Sequence, residues 1–144
     1  MKRIVVGVDG SESSIAALRW ALEEAQLRGD SIEVISAWTY PIVAVPGAVV
    51  PLEPLADQGA DALAHLQHAI DTCGADRSGL TVNPIVQEGD AARVLLEAAK
   101  DADLLVVGAR GHGAIAGFLL GSVTQHVTRH APCPVAVIPS PARS

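Results

Sequence analysis

The residues whose types and spacing are best suited to chemistry are the glycines of Gly108-Ala-Arg-Gly111-His-Gly113, followed by Gly121-Ser122. A run of buried type, Leu104-Leu105-Val106-Val107, leads into them, and a helical pattern from Val123 to His130 leads out. The order is therefore strand, glycine-rich loop, helix start. Glycine adopts positive φ and lets the backbone come close to a ligand. Successive N–H groups in such a loop form an anion-binding concavity. The helix start adds unpaired donors at the positive end of a dipole. Together these features favour a phosphate chain, held by backbone N–H groups, by the Ser122 hydroxyl and by Arg110 or His112. The plainer alternative is a surface loop. Long loops without structure of their own are uncommon unless functional or disordered.

Two familiar phosphate motifs are excluded. A Walker A loop needs a lysine just before its Ser/Thr, and Leu120-Gly121-Ser122 has none. The order Gly108, Gly111, Gly113 does not fit the dinucleotide fingerprint, which also needs an acidic residue about 20 positions on. One carboxylate remains a candidate for the same site. Asp9, in Asp9-Gly10-Ser11, follows the first strand-like run and is suited to a ribose hydroxyl or to Mg2+, which takes few protein ligands beside phosphate oxygens. Its structural alternative is to cap the first helix or shape its turn.

These residues need a scaffold, and the pattern of apolar positions supplies one. Arg3–Val8 is a short β-branched run, read as a strand buried on both faces. Ile15, Leu18, Leu22 and Ala25 recur at helical spacing after a cap at Ser11 or Ser13, and Gly29 closes that helix. A second strand lies within Ser31–Trp38. Thr39–Pro54 holds four prolines, which predicts irregular structure. Its apolar residues need cover, from their own domain, a site or another subunit. A helix is predicted over Leu55–Cys73. His65 and His68 lie three apart on it, and without further ligands they read as a solvated face. Leu80–Gln87 is a third strand, placed at an edge by Pro84. Asp90 caps a helix through Val94, Leu95 and Ala98. Ser122 with Gln125 three residues later fits a capping box. Pro132-Cys-Pro134 ends the last helix, and Val135–Ile138 is a fifth strand.

Strand and helix alternate, which predicts an α/β fold: an open parallel sheet with helices on both faces and right-handed crossovers. Ligands bind such sheets outside the carboxyl ends of strands where the winding reverses. The strand order 3-2-1-4-5 would bring Asp9-Gly10-Ser11, the glycine loop and the Ala37-Trp38 end of strand 2 to one crevice.

Composition narrows the class further. The chain has 144 residues, 49% hydrophobic and 18% charged, which suits one globular domain, residues 1–144. A net charge of −6 without a basic run argues against nucleic acid. Met1-Lys2-Arg3 runs straight into a strand-like stretch, which argues against a signal peptide. No apolar run approaches the roughly 20 residues that span a bilayer. Cys73 and Cys133 show neither metal nor disulfide spacing. A cytoplasmic, reduced protein is expected.

At these residues the chain resembles the universal stress protein family, specifically its ATP-binding branch. The family motif G-x2-G-x9-G-[ST] reads Gly108-x2-Gly111-x9-Gly121-Ser122 here. Ile4-Val-Val-Gly-Val-Asp9-Gly-Ser11 and Ala131-Pro-Cys-Pro-Val-Ala-Val-Ile-Pro139 also resemble its two ends. The resemblance implies a single Rossmann-like domain that binds ATP with Mg2+. Asp9 and Gly7 would lie at the ribose side, with Gly10 and Ser11 beside them and Asp9 toward the metal. Ala37 would offer backbone to adenine. Gly108, Ala109, Arg110, Gly111, His112, Gly113 and Ala114, with Gly121, Ser122 and Val123, would hold the phosphates. It further implies a homodimer paired through Val135–Ile138. The function that follows is a nucleotide-dependent regulator or adaptor in stress response. The alternative is a slow ATPase or phosphotransfer enzyme. Rapid turnover is not expected, because no Walker lysine or second carboxylate stands by the loop and His112 is the one obvious titrating group.

Overall fold

The computed structural model describes residues 2–39, 42–51, 58–73, 79–111 and 120–140. In chain order its elements are β1 (Arg3–Gly7), α1 (Glu12–Arg28), β2 (Ser31–Trp38), β3 (Ile42–Val45), β4 (Ala48–Pro51), α2 (Gln58–Thr72), β5 (Val82–Glu88), α3 (Ala91–Ala99), β6 (Leu104–Gly108), α4 (Ser122–His130) and β7 (Val135–Ile138). Five of the strands form one sheet in the order β5-β2-β1-β6-β7. All four pairings in it are parallel. Counting only these strands, the order is the expected 3-2-1-4-5. Winding reverses between β1 and β6, and Pro84 does lie on an edge strand.

A strand covered on both faces must be apolar on both, and the central strands are. Ile4, Val5 and Val6 of β1 and Leu105 and Val106 of β6 are fully buried. Alternate residues point to opposite faces. Ile4, Val6, Ile32, Val34, Leu104 and Val106 pack with Leu18 and Leu22 of α1 and Leu66 and Ile70 of α2. Val5, Ile35, Leu105 and Val107 pack with Val94 and Leu95 of α3 and Val127 of α4. Helices α1 and α2 therefore cover one face, and α3 and α4 the other. On α1 the buried positions Ala17, Leu18, Ala21, Leu22 and Ala25 form one stripe, with alanines that let the helix approach the sheet.

Local chemistry sets the helix ends. Ser11 caps α1, its side chain accepting from the Ser14 N–H at 3.2 Å. Ser13, the other candidate, is buried and bonded elsewhere. Gly29 ends α1 with φ +70°, a left-handed conformation that favours glycine. Asp90 caps α3 by accepting from the Arg93 N–H at 3.1 Å.

Two expectations need correction. Residues 42–51 are not irregular: β3 and β4 pair antiparallel, with Val45 opposite Ala48 and Ile42 opposite Pro51. The prolines permit this because Pro46 falls in the turn and Pro51 at the last ladder position. Gly47, at φ +84°, completes the Pro-Gly turn. Residues 40–41 and 52–57, which include the predicted start of the second helix, lie outside the described residues. The second correction is the capping box. Gly121 is the N-cap of α4, no side chain caps it, and Ser122 is its first helical residue. The Gln125 amide instead donates to the Leu120 carbonyl at 3.0 Å.

Candidate functional site

Where β1 and β6 part at their carboxyl ends, a cavity of about 310 Å3 opens. Its walls come from six places in the chain, Ser14 of α1 among them. Gly7, Val8 and Asp9 extend β1, and Ile35 and Ala37 belong to β2. Ala91 and Leu95 come from α3; Val107, Gly108, Arg110 and Gly111 come from the end of β6. Leu120 through Gln125 form the start of α4. The lining mixes apolar residues (Ile35, Ala37, Ala91, Leu95, Val107 and Val123) with polar ones (Asp9, Ser14, Arg110, Ser122, Thr124 and Gln125). That mixture suits a ligand with a flat, weakly polar part and an anionic part.

The glycines let chain segments approach one another. A Cβ on Gly7 would stand 2.8 Å from a Leu95 methyl carbon. On Gly108 it would meet the Ser13 backbone at 2.6 and 2.8 Å, and on Gly111 it would lie 2.5 Å from Asp9 Oδ2. On Gly121 it would come 3.3 Å from the Gly111 nitrogen. Each position keeps the cavity's walls close to each other.

Hydrogen bonds tie these walls together. The buried Thr124 hydroxyl donates to the Gly108 carbonyl at 2.6 Å, fixing α4 to the end of β6. The Gly121 N–H donates to the Ala109 carbonyl at 2.8 Å, and the Ala109 N–H donates to Ile138 at 2.7 Å. The Ser13 hydroxyl donates to the Ile138 carbonyl at 3.0 Å and accepts from the Arg110 N–H at 3.3 Å. Asp9 Oδ1 accepts from the Ser11 N–H at 2.9 Å and from the Ser11 hydroxyl. Asp9 therefore shapes the turn into α1 while its Oδ2 faces Gly111. These bonds show the turn-shaping role read from the sequence, and the same side chain lines the cavity.

The decisive electrostatic feature is the start of α4. The first N–H groups of a helix have no intrahelical partner. At α1 and α3 a Ser11 or Asp90 oxygen takes one of them. At α4, among the described residues, no side chain does, and Ser122, Val123 and Thr124, which carry these donors, line the cavity. An anion there would meet both unpaired N–H groups and the positive end of the helix dipole.

Of the residues singled out from the sequence, the structure brings Gly7, Asp9, Ala37, Gly108, Arg110, Gly111, Gly121, Ser122 and Val123 to this one cavity. Gly10, Ser11 and Ala109 do not line it. Gly10 and Ser11 make the turn into α1, and the backbone of Ala109 is bonded to Ile138 and Gly121. His112, Gly113 and Ala114 lie outside the described residues. Sequence reading missed Ser14, Leu95, Thr124 and Gln125 as wall residues, and Ser13 as a strut. Their trace in the sequence was slight. Only the polar Ser13 and Ser14 at the start of an apolar helix stripe hinted at a bonded, buried position.

The family model for the universal stress protein family matches residues 1–139. The chain belongs to the universal stress protein family. A universal stress protein of Mycolicibacterium smegmatis is 35% identical over 138 residues, 94% of this chain and 47% of the relative. Among solved structures, the universal stress protein UspA from Lactobacillus plantarum matches with a TM-score of 0.76 at 26% identity, covering 95% of this chain and 97% of that one. A universal stress protein solved in complex with cAMP matches at 0.64 and 29% identity, covering 97% and 98%. The Rossmann-like sheet order seen here is thus that of the family. The chain spans about half the length of the curated relatives it matches. Among the described residues of this universal stress protein, no helix is long and apolar enough to cross a membrane.

Proposed function

We propose that this universal stress protein binds ATP, with Mg2+ at Asp9, and acts as a nucleotide-dependent regulator or adaptor rather than as a fast enzyme. The observation that carries this reading is the uncapped start of α4 opening on a cavity beside Arg110 and Gly111. The phosphates lie there, on the N–H groups of Ser122 and Val123, with Arg110 beside them. The base lies against the apolar residues Ala37, Ile35 and Leu95, where few side chains can hydrogen-bond it. Asp9 sits between the two, at the ribose and the metal. A triphosphate beside a carboxylate and one arginine needs a divalent cation to offset its charge. Turnover is slow at most, because the described lining offers no lysine and no carboxylate besides Asp9. The protein works in the cytoplasm as a homodimer paired through β7. Its net charge of −6 supports a role without nucleic acid.

Mass spectrometry of the denatured, freshly purified protein identifies the resident ligand. ATP is expected; AMP or cAMP would replace it in the proposal, and ADP alone would favour hydrolysis. The phosphate site itself is tested by Ser122→Asp. A carboxylate on the first helical turn occupies the anion's place and favours the helix dipole by about 0.3–1 kcal/mol. ATP affinity should fall at least tenfold while urea stability holds or rises. Unchanged affinity would remove the start of α4 from the site.

A further inference from the structure

Helix α4 has a second chemical feature at its far end. His126 and His130 stand one turn apart, both exposed. Their ring centroids are 4.7 Å apart and the planes are tilted by 45°. Both rings border a groove of about 320 Å3 that α3 closes from the other side with Asp90 and Glu97.

We propose that His126 and His130 chelate a divalent transition metal ion of the late first row, Zn2+ or Cu2+ in kind. Residues four apart share one side of a helix, and the same spacing carries the paired histidine ligands of helical zinc motifs. The distance fits as well. A metal about 2.0–2.1 Å from each ring nitrogen lies roughly 3.2 Å from each ring centre, so rings held at a right or tetrahedral angle have centres roughly 4.5–5.2 Å apart. The separation of 4.7 Å found here falls inside that range. Imidazole is a ligand suited to these metals, with Cu2+ bound most tightly in the series.

The surroundings are balanced in charge. Lys100 on α3 pairs with Glu97 at 2.9 Å, and Arg93 and Asp90, of opposite charge, border the same groove. Among the described residues no three His, Cys, Asp or Glu side chains stand together as a closed metal site. Two imidazoles therefore supply the protein's share, and water completes the sphere. The site is exchangeable rather than structural. It is separate from the nucleotide cavity and does not depend on that reading, although Ser122, Thr124 and Gln125 at the other end of the same helix line the cavity.

The test is calorimetric titration of the tag-free full chain with Cu2+ and with Zn2+. One ion per chain is expected. His126→Ala and His130→Ala should each weaken it at least fivefold, because either change turns a chelate into a single ligand. A His65→Ala, His68→Ala double variant should bind as the parent does. Circular dichroism checks that the exposed substitutions leave the helix content intact. Absence of binding overturns the proposal, as does a loss below fivefold in either single variant.

Discussion

Gly108 shows how one missing side chain can hold a site together. From the sequence its position reads as room for a ligand, yet the added Cβ would strike the backbone of Ser13 in α1. Backbone cannot swing aside as a side chain can. Gly108→Ala should therefore destabilise the fold by about 1–3 kcal/mol, the usual cost of overpacking, with a lower urea midpoint at constant slope. A variant that kept full stability and lost only ATP would return the residue to a purely ligand-facing role. Cys133 gives a second prediction at this scale. Burial, then the Asp103 carboxylate, push its thiol up, against a smaller opposing backbone hydrogen bond at Leu105. The thiol stays protonated in the fold at a pH where the unfolded chain has begun to lose the proton. Its contribution to stability is thus present at neutral pH and declines as pH rises past the ordinary thiol range. Iodoacetamide should label Cys133 more slowly than a free cysteine at pH 8, as read by peptide mapping. Equal rates would show that its environment leaves the thiol untouched.

The elements differ in how readily the sequence announced them. The apolar runs within Arg3–Gly7 and Leu104–Gly108 were legible because burial on both faces demands unbroken apolar residues. Asp90 was legible as a cap because its oxygen acts locally, on an N–H three residues away. Asp90→Ala should cost about 0.5–2 kcal/mol in urea denaturation. A loss near zero would mean that water replaces the cap without penalty. The β3–β4 ribbon was not legible. Proline content there predicts irregularity, and only the register shows that Pro46 and Pro51 avoid the ladder's interior. Thr124 was equally hidden. Its partner, the Gly108 carbonyl, is sixteen residues back in the chain, and no local pattern encodes such a pairing. The glycine spacing marked the loop but not which segment each glycine must clear. Ser122 lines the cavity, as expected of it, but was misread as a cap, because Gly121, which has no side-chain oxygen, took that position.

At the scale of the whole molecule, the sheet ends at β7, whose far edge has no strand beside it among the described residues. The carbonyls of Pro134 and Ile138 accept from Leu105 and Ala109, so this set of backbone groups faces β6. Along a strand these groups alternate in direction, which turns those of Val135 and Val137 to the open edge. Proline is tolerated where an edge N–H faces outward. Val137→Pro should spare the fold and convert the proposed dimer to a monomer in light scattering after size exclusion. A dimer that persisted would move the contact elsewhere.

The Ser13 hydroxyl bridges two parts of the molecule that the sequence sets far apart. It gives its proton to the last residue of β7 and receives one from the main chain of Arg110. If the terminal strand slides or tilts when it meets a twin, this oxygen is dragged along or let go. Either way the rim of the cavity feels the event, through one atom and without any moving domain. In the proposed dimer, assembly and nucleotide occupancy would then share a mechanical linkage, a short path by which each reports on the other.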